Sequence, residues 1–153
     1  MFLLTQEPID AAALLKDFEG KASASGAVAS FIGKVRGTSN GAAVLKLHLQ
    51  AYSPMTEDGA AVALEKAYHR WSLDAATIVH RIGDVLPGET IVFVATASRH
   101  RRAAFESVEY LMDYLKTEAA FWKKEFTDRG DSWIEPRAED YADKARWQFT
   151  KTG

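Results

Sequence analysis

The chain has 153 residues, of which 47% are hydrophobic and 11% aromatic, and its formal net charge is -2. These values predict a single folded domain over residues 1–153 and argue against both a disordered chain and bulk binding to nucleic acid. The absence of cysteine excludes disulfides, thiolate metal sites, a cysteine nucleophile and a persulfide carrier.

The amino terminus, MFLLTQEPID, is briefly apolar but lacks the basic region and small-residue cleavage site of a signal peptide. Apolar runs elsewhere in the sequence are also shorter than a membrane-spanning helix requires. We therefore expect a cytoplasmic protein.

The first half of the chain predicts a helix and two strands. Residues 9–19 have apolar side chains at helical spacing, and Gly20 is expected to end that helix. Residues 26–35 and 43–52 read as strands, the second with leucines alternating with polar residues. The glycines and Asn40 within residues 36–41 predict a mobile hairpin loop between these strands.

A second helix is predicted over residues 53–71, with Ser53 as its N-cap and Pro54 at its first position. Two runs rich in β-branched residues, 76–85 and 89–98, are expected to be central strands joined by a turn. The apolar stripe expected on the inner side of the second helix comprises Ala60, Leu64, Ala67, Tyr68 and Trp71.

A third helix is predicted from about residue 99 to at least residue 116. The tail from Asp131 contains Trp133, Ile134 and Trp147 among charged residues, and we expect it to pack on a neighbour or to stay partly loose. This order of elements predicts an α+β fold in which helices cover a mixed sheet.

Four basic residues open the third helix, where the helix dipole ordinarily favours acidic side chains. An anion bound at the free N–H groups would compensate this cluster, and an exposed basic turn balanced by distant acidic residues is an equally weighted alternative. Lys34 and Arg36 project from one face of their strand and give a second, weaker indication of an anion site. The cluster at the helix start comprises Arg99, His100, Arg101 and Arg102.

The segment YLKTEAAFWKKE, residues 114–125, places Lys116 and Lys123 seven positions apart around an apolar block. If this segment is helical, both lysines share one face, because seven residues make almost two turns. Such a pair by itself most often marks a solvated face. Beside Phe121 and Trp122, however, a desolvated lysine could titrate near neutrality and move protons, as could His100.

Metal, hydrolase, NTPase and dinucleotide sites lack support in the sequence. Its histidines show no closely spaced ligand pair, and the GxSxG, GxxxxGK[ST] and GxGxxG motifs are absent. We expect His48 to point to solvent and His69 to lie on a helix flank.

Five segments in this order, FIGKVRG, AYSPMTE, IVHRIGDVLPGETIVFVATASRHRRAAFE, MDYLKTEAAFWKKE and DSWIE, resemble the MoaE family, the large catalytic subunits of molybdopterin synthases. The resemblance is strongest over residues 25–136 and leaves a tail, 137–153, that we expect to be mobile. It implies an α/β hammerhead-type fold and a homodimer at the centre of a heterotetramer. Each end would bind a small ubiquitin-like sulfur carrier, similar to MoaD, through its Gly-Gly carboxy terminus.

The family's reaction, as the resemblance implies it, transfers sulfur from the carrier's thiocarboxylate to cyclic pyranopterin monophosphate and forms the dithiolene of molybdopterin. No cofactor or metal is implied. Lys116 and Lys123 match the family's catalytic lysines, which also bind substrate, and Arg36, His100 and Arg101 match its substrate-binding residues. Lys34 and Arg102 are candidates for additional anion contacts.

Ala120 stands where many relatives have proline, and from this we expect the helix to continue through the segment. Two other functions remain open at this point. One is a noncatalytic module that binds the tail of a ubiquitin-like carrier, and the other is a small RNA- or nucleotide-binding domain.

Overall fold

The computed structural model describes residues 1–148, which form nine strands, four α-helices and a short 3-10 turn. In chain order these elements are β1 (Phe2–Thr5), α1 (Ala11–Lys21), β2 (Ala27–Lys34), β3 (Thr38–Ser39), β4 (Ala42–Ala51), α2 (Met55–Trp71), β5 (Ala75–Arg81), β6 (Gly83–Val85), β7 (Thr90–Ser98), α3 (Arg101–Thr117), β8 (Phe121–Thr127), β9 (Gly130–Ile134), α4 (Ala138–Ala145) and the 3-10 turn Arg146–Gln148.

The first sheet has the strand order β1-β5-β7-β2, in which β1 runs parallel to β5 and the other pairs are antiparallel. Its two central strands, β5 and β7, are the predicted pair of β-branched runs. Alternate residues of these strands enter two cores, since successive side chains point to opposite faces. Ile78 and Val94 pack with α2 and α3, whereas Val79 and Phe93 pack with α1.

The predicted α+β class is confirmed, and a second sheet of five strands accompanies the first, which has four. Its main path is β3-β4-β8-β9, and β6 also pairs with β4. A small apolar cluster lies beneath it, made of Val35, Val44, Leu47, Leu49 and Val85.

The predicted hairpin between the second and fourth strands is wrong. β2 pairs with β7 in the first sheet, while β4 pairs with β6 and β8 in the second, so the chain changes sheets at residues 35–37. The turn signal at Asn40 and Gly41 is real, because both residues have positive φ, 48° and 80°. It joins the two-residue strand β3 to β4.

The start of α2 also differs from the prediction. Pro54 occupies the N-cap position and the helix begins at Met55, while the Ser53 hydroxyl donates to the Glu57 carboxylate. Within the predicted apolar stripe Ala60, Leu64 and Ala67 are buried, whereas Tyr68 and Trp71 lie at its edge, Tyr68 exposed and Trp71 partly buried.

The predicted helix over residues 114–125 is wrong in its second half. α3 ends at Thr117, and the chain re-enters the second sheet at Phe121, where β8 pairs with β4 and β9. The aromatic residues of segment 121–127 suit a strand, and pairing on both sides outweighs the local helical spacing. Ala120 therefore precedes a strand, so the expectation that it continues the helix is also wrong.

The two ends of the described chain are held by the first sheet and by α3. Residues 2–5, which we did not predict as an element, form β1 against β5. Near the other end, Trp147 packs edge-on against Trp71 and donates from Nε1 to Asp113 at 2.6 Å. The predicted mobile tail thus contains ordered contacts up to residue 148, and its last five residues lie outside the described part.

Among residues 1–148, no helix is both long and apolar enough to cross a membrane.

Candidate active site

Lys116 and Lys123 lie close together, although they are on different elements. Lys116 is exposed on the last turn of α3, and Lys123 is partly buried on β8. The two ammonium groups are within electrostatic range of each other, since the positive charge of Lys116 lowers the pKa of Lys123. Three residues, 118–120, connect the two elements.

Lys123 has an unusual protonation equilibrium for a lysine. Burial lowers its pKa to about 8, the positive charge of Lys116 lowers it further in the same direction, and Asp140 opposes both. A lysine with a pKa near 8 interconverts between ammonium and amine close to physiological pH, so it can act as a general acid or base.

His80 lies beside this pair and is 2% exposed. Its Nδ1 lies 2.8 Å from the carbonyl oxygen of Arg81, and its ring stacks on Phe121 at a centroid distance of 4.2 Å. Burial lowers the pKa of His80 to about 3, the bond to Arg81 opposes that shift, and the charges of Lys123 and Lys116 add to it. The imidazole is therefore neutral near pH 7.

We did not predict a role for His80 from the sequence. The available signal was the pair His80–Arg81 inside a run of otherwise apolar, β-branched residues. Both side chains are buried in the structure, where polar groups ordinarily have specific partners.

Arg36 and Lys34 lie at the same end of the first sheet as the lysine pair. Lys34 is opposite Thr90 at the start of β7, and His80 is opposite Val92 near that same start. Arg36 lies two residues after Lys34 and is also exposed. This end of the sheet therefore carries two exposed cationic side chains in addition to the lysine pair.

The other predicted basic group lies at the opposite end of β7. His100, Arg101 and Arg102 follow Ser98, the last residue of that strand, and all three are exposed at the start of α3. They line an open cavity of about 440 Å³ together with Phe105 and Glu106. Six residue steps separate Val92 from Ser98, which corresponds to roughly 20 Å of strand. A single chain therefore keeps this group apart from Arg36 and the lysines.

The remaining histidines give no indication of a metal centre. His48 is part-exposed and contacts Asp84 at 2.7 Å, and His69 lies exposed in the last turn of α2, as expected. Within residues 1–148 no three His, Asp or Glu side chains are grouped so that they could hold a metal ion.

Comparison with known proteins connects this geometry to one family. The sequence model of the MoaE protein family matches residues 4–118. The molybdopterin synthase catalytic subunit of Caulobacter vibrioides is 46% identical over 144 residues, covering 94% of this chain and 95% of that protein. The Escherichia coli protein of the same description is 48% identical over 122 residues, covering 80% of this chain and 81% of its own.

A solved structure shows the same fold. The molybdopterin biosynthesis MoaE protein from Burkholderia ambifaria superposes with a TM-score of 0.82 at 39% sequence identity, covering 98% of this chain and 99% of that one. The family match ends at residue 118, so it includes Lys116 and not Lys123. The 144-residue alignment leaves only nine residues of this chain uncovered and spans both lysines.

Proposed function

The chain belongs to the MoaE family, and we propose on that basis and from its lysine pair that it is the catalytic subunit of a molybdopterin synthase. It transfers sulfur to cyclic pyranopterin monophosphate and so forms the dithiolene of molybdopterin. Because the sequence contains no cysteine, the sulfur must arrive on another molecule. The carboxy-terminal thiocarboxylate of a small ubiquitin-like carrier subunit meets that requirement.

The observation that carries the mechanism is the pairing of an exposed lysine with a partly buried one of lowered pKa. Lys116, exposed at the end of α3, stabilises negative charge as the acyl–sulfur bond of the carrier breaks. Lys123, which titrates near neutrality, exchanges a proton with the substrate when its hydroxyl leaves or its ring opens. Both residues also contact the substrate.

The substrate's phosphate and pterin are held by Arg36, His100 and Arg101, with Lys34 and Arg102 as additional anion contacts. The guanidinium group of an arginine matches the oxygens of a phosphate in two parallel hydrogen bonds. Because one chain separates these residues by roughly 20 Å, a small substrate can meet both groups only if two chains contribute to one site. The homodimer expected for this family supplies that second chain.

We place the homodimer at the centre of a heterotetramer with one carrier bound at each end, acting in the cytoplasm. A mixed dimer tests the shared site directly. One chain carries Arg36→Ala and the other Arg101→Ala, so that one of the two sites retains both arginines and the other has neither. With substrate well below KM, we expect the isolated mixed dimer to have about half the wild-type activity, well above that of either single-variant homodimer. A mixed dimer no more active than the two homodimers would contradict shared sites.

The reaction itself is tested by incubating the purified protein with thiocarboxylated carrier and cyclic pyranopterin monophosphate, and by measuring molybdopterin as its fluorescent oxidised derivative. We expect product that depends on all three components. Carrier binding without product would instead support the noncatalytic tail-binding module.

A further inference from the structure

Residues 118–120 form the junction between α3 and β8 and connect Lys116 to Lys123 along the chain. This junction is held by a side chain from α2. The Thr56 hydroxyl donates to the carbonyl oxygen of Ala120 at 2.7 Å and accepts the backbone N–H of Tyr52 at 2.8 Å. Thr56 is 1% exposed, so both hydrogen bonds are shielded from water.

His80 holds the next residue along the chain. Its ring stacks on Phe121, the first residue of β8, with 20° between the two planes. The contact of Nδ1 with the Arg81 carbonyl fixes the orientation of the imidazole, which as the neutral tautomer donates that bond. Two side chains from different elements thus hold two consecutive residues, Ala120 and Phe121.

We propose that Thr56 and His80 are positioning residues, which clamp the α3–β8 junction and thereby hold Lys123 beside Lys116 in a site sheltered from water. This inference deepens the proposed function and rests on it. Lys116 lies four residues before Ala120 and Lys123 three residues after, so a shift of the junction moves one ammonium group relative to the other.

The surroundings of Lys123 explain why its position matters. Leu49 and Ile134 are its partners on the adjacent strands. The charged and titratable groups that act on the site are Lys116 from α3, Asp140 from α4 and His80 from β5. A neutral His80 adds bulk and no third positive charge. Loosening the junction would admit water to Lys123 and increase its distance from Lys116, and both changes raise the pKa of Lys123.

The test compares Thr56→Val, which keeps the shape but loses the hydroxyl, with Thr56→Ser, which keeps the hydroxyl. The pKa of Lys123 is measured by NMR titration of the protein with isotope-labelled, methylated lysines, without substrate or carrier. We expect Thr56→Val to raise that pKa from about 8 by about one unit or more, and Thr56→Ser to leave it near the wild-type value. This readout does not depend on turnover, so it is separate from any failure of the proposed function.

The matched control is Thr117→Val. Thr117 is next to Lys116, but its hydroxyl donates to the Asp113 carbonyl within α3 and takes no part in the junction. We expect this variant to keep the wild-type pKa of Lys123. An unchanged pKa in folded Thr56→Val, or equal shifts in Thr56→Val and Thr117→Val, would overturn the proposal.

Substitutions of His80 provide a second, independent test of whether the junction positions Lys123, which can be made even if Thr56→Val does not fold. His80→Phe keeps an uncharged ring against Phe121, whereas His80→Ala removes it. We expect a raised pKa of Lys123 and a reduced kcat in His80→Ala, with both values largely restored in His80→Phe. Equal values in these two variants would show that the stacked ring does not position Lys123.

Discussion

Lys123 should lower the stability of the folded protein, and replacing it with methionine should raise that stability near neutral pH. In an unfolded chain a lysine has a pKa near 10.5, whereas the folded protein lowers that of Lys123 to about 8. Each unit of difference corresponds to about 1.4 kcal/mol, so keeping the ammonium form in the folded state costs about 3 kcal/mol. Lys123→Met removes that cost and preserves most of the side-chain volume.

The sign of this effect depends on pH. At pH values below about 8, Lys123 is protonated in both the folded and the unfolded state, and the full cost of about 3 kcal/mol is present. Between about pH 8 and 10.5 the folded protein has lost the proton while the unfolded chain keeps it, so wild-type stability rises through this window. The advantage of Lys123→Met should therefore be largest at pH 7 and should fall to about 1 kcal/mol at pH 10.

Urea denaturation at pH 7 and pH 10 measures this difference. Lys124→Met is the matched control, because Lys124 is on the same strand but pairs with Asp131 at 3.3 Å and lies over the Trp133 ring. Its replacement should change the free energy of unfolding by no more than about 1 kcal/mol, and not in favour of the variant. If Lys123→Met were no more stable than wild type at pH 7, or equally favoured at both pH values, the reasoning about its burial would be refuted.

Three further outcomes are expected. Arg36→Ala should raise KM for the phosphate substrate by about tenfold or more in steady-state kinetics, while titration shows that the carrier still binds. The control Arg129→Ala, an exposed change on the loop before β9, should leave KM unchanged. His80→Phe should lose less stability than wild type as the pH falls from 6.5 to 3. In this window the unfolded wild-type chain protonates His80, whereas folded His80, with a pKa of about 3, stays neutral. Parallel acid-unfolding curves for the two proteins would argue against this. Ala120→Pro should fold with a free energy of unfolding within about 1 kcal/mol of wild type, because residue 120 precedes a strand, whereas a loss of about 3 kcal/mol would indicate a helix there.

The sequence predicted the elements whose pattern is local. The helical spacing of α3 and the β-branched runs of β5 and β7 are long enough to identify helix and strand without knowledge of their neighbours. The predictions failed where pairing partners decide the structure. The helical spacing of Lys116 and Lys123 suggested a helix through this segment, yet residues 121–127 form β8 because β4 and β9 provide partners on both sides.

The same distinction applies to the site. Lys116, Lys123, Arg36 and the basic start of α3 were identifiable from residue type and family resemblance. Their separation into two groups was not, because it depends on β2 pairing with β7 and not with β4. Likewise Thr56 offers no chemical signal in the sequence, since its importance comes from a hydrogen bond to a residue 64 positions away.

The central claim is that this chain transfers sulfur with Lys116 and Lys123. The most direct test measures molybdopterin formed from thiocarboxylated carrier and cyclic pyranopterin monophosphate by wild type, Lys116→Ala, Lys123→Ala and the control Lys124→Ala, after each variant is shown to fold and bind carrier. We expect wild type and Lys124→Ala to form product, and each of the other two variants to lose activity by about a hundredfold or more, the contribution typical of a positioned acid–base or charge-stabilising group. Near-wild-type product from either Lys116→Ala or Lys123→Ala would contradict the account.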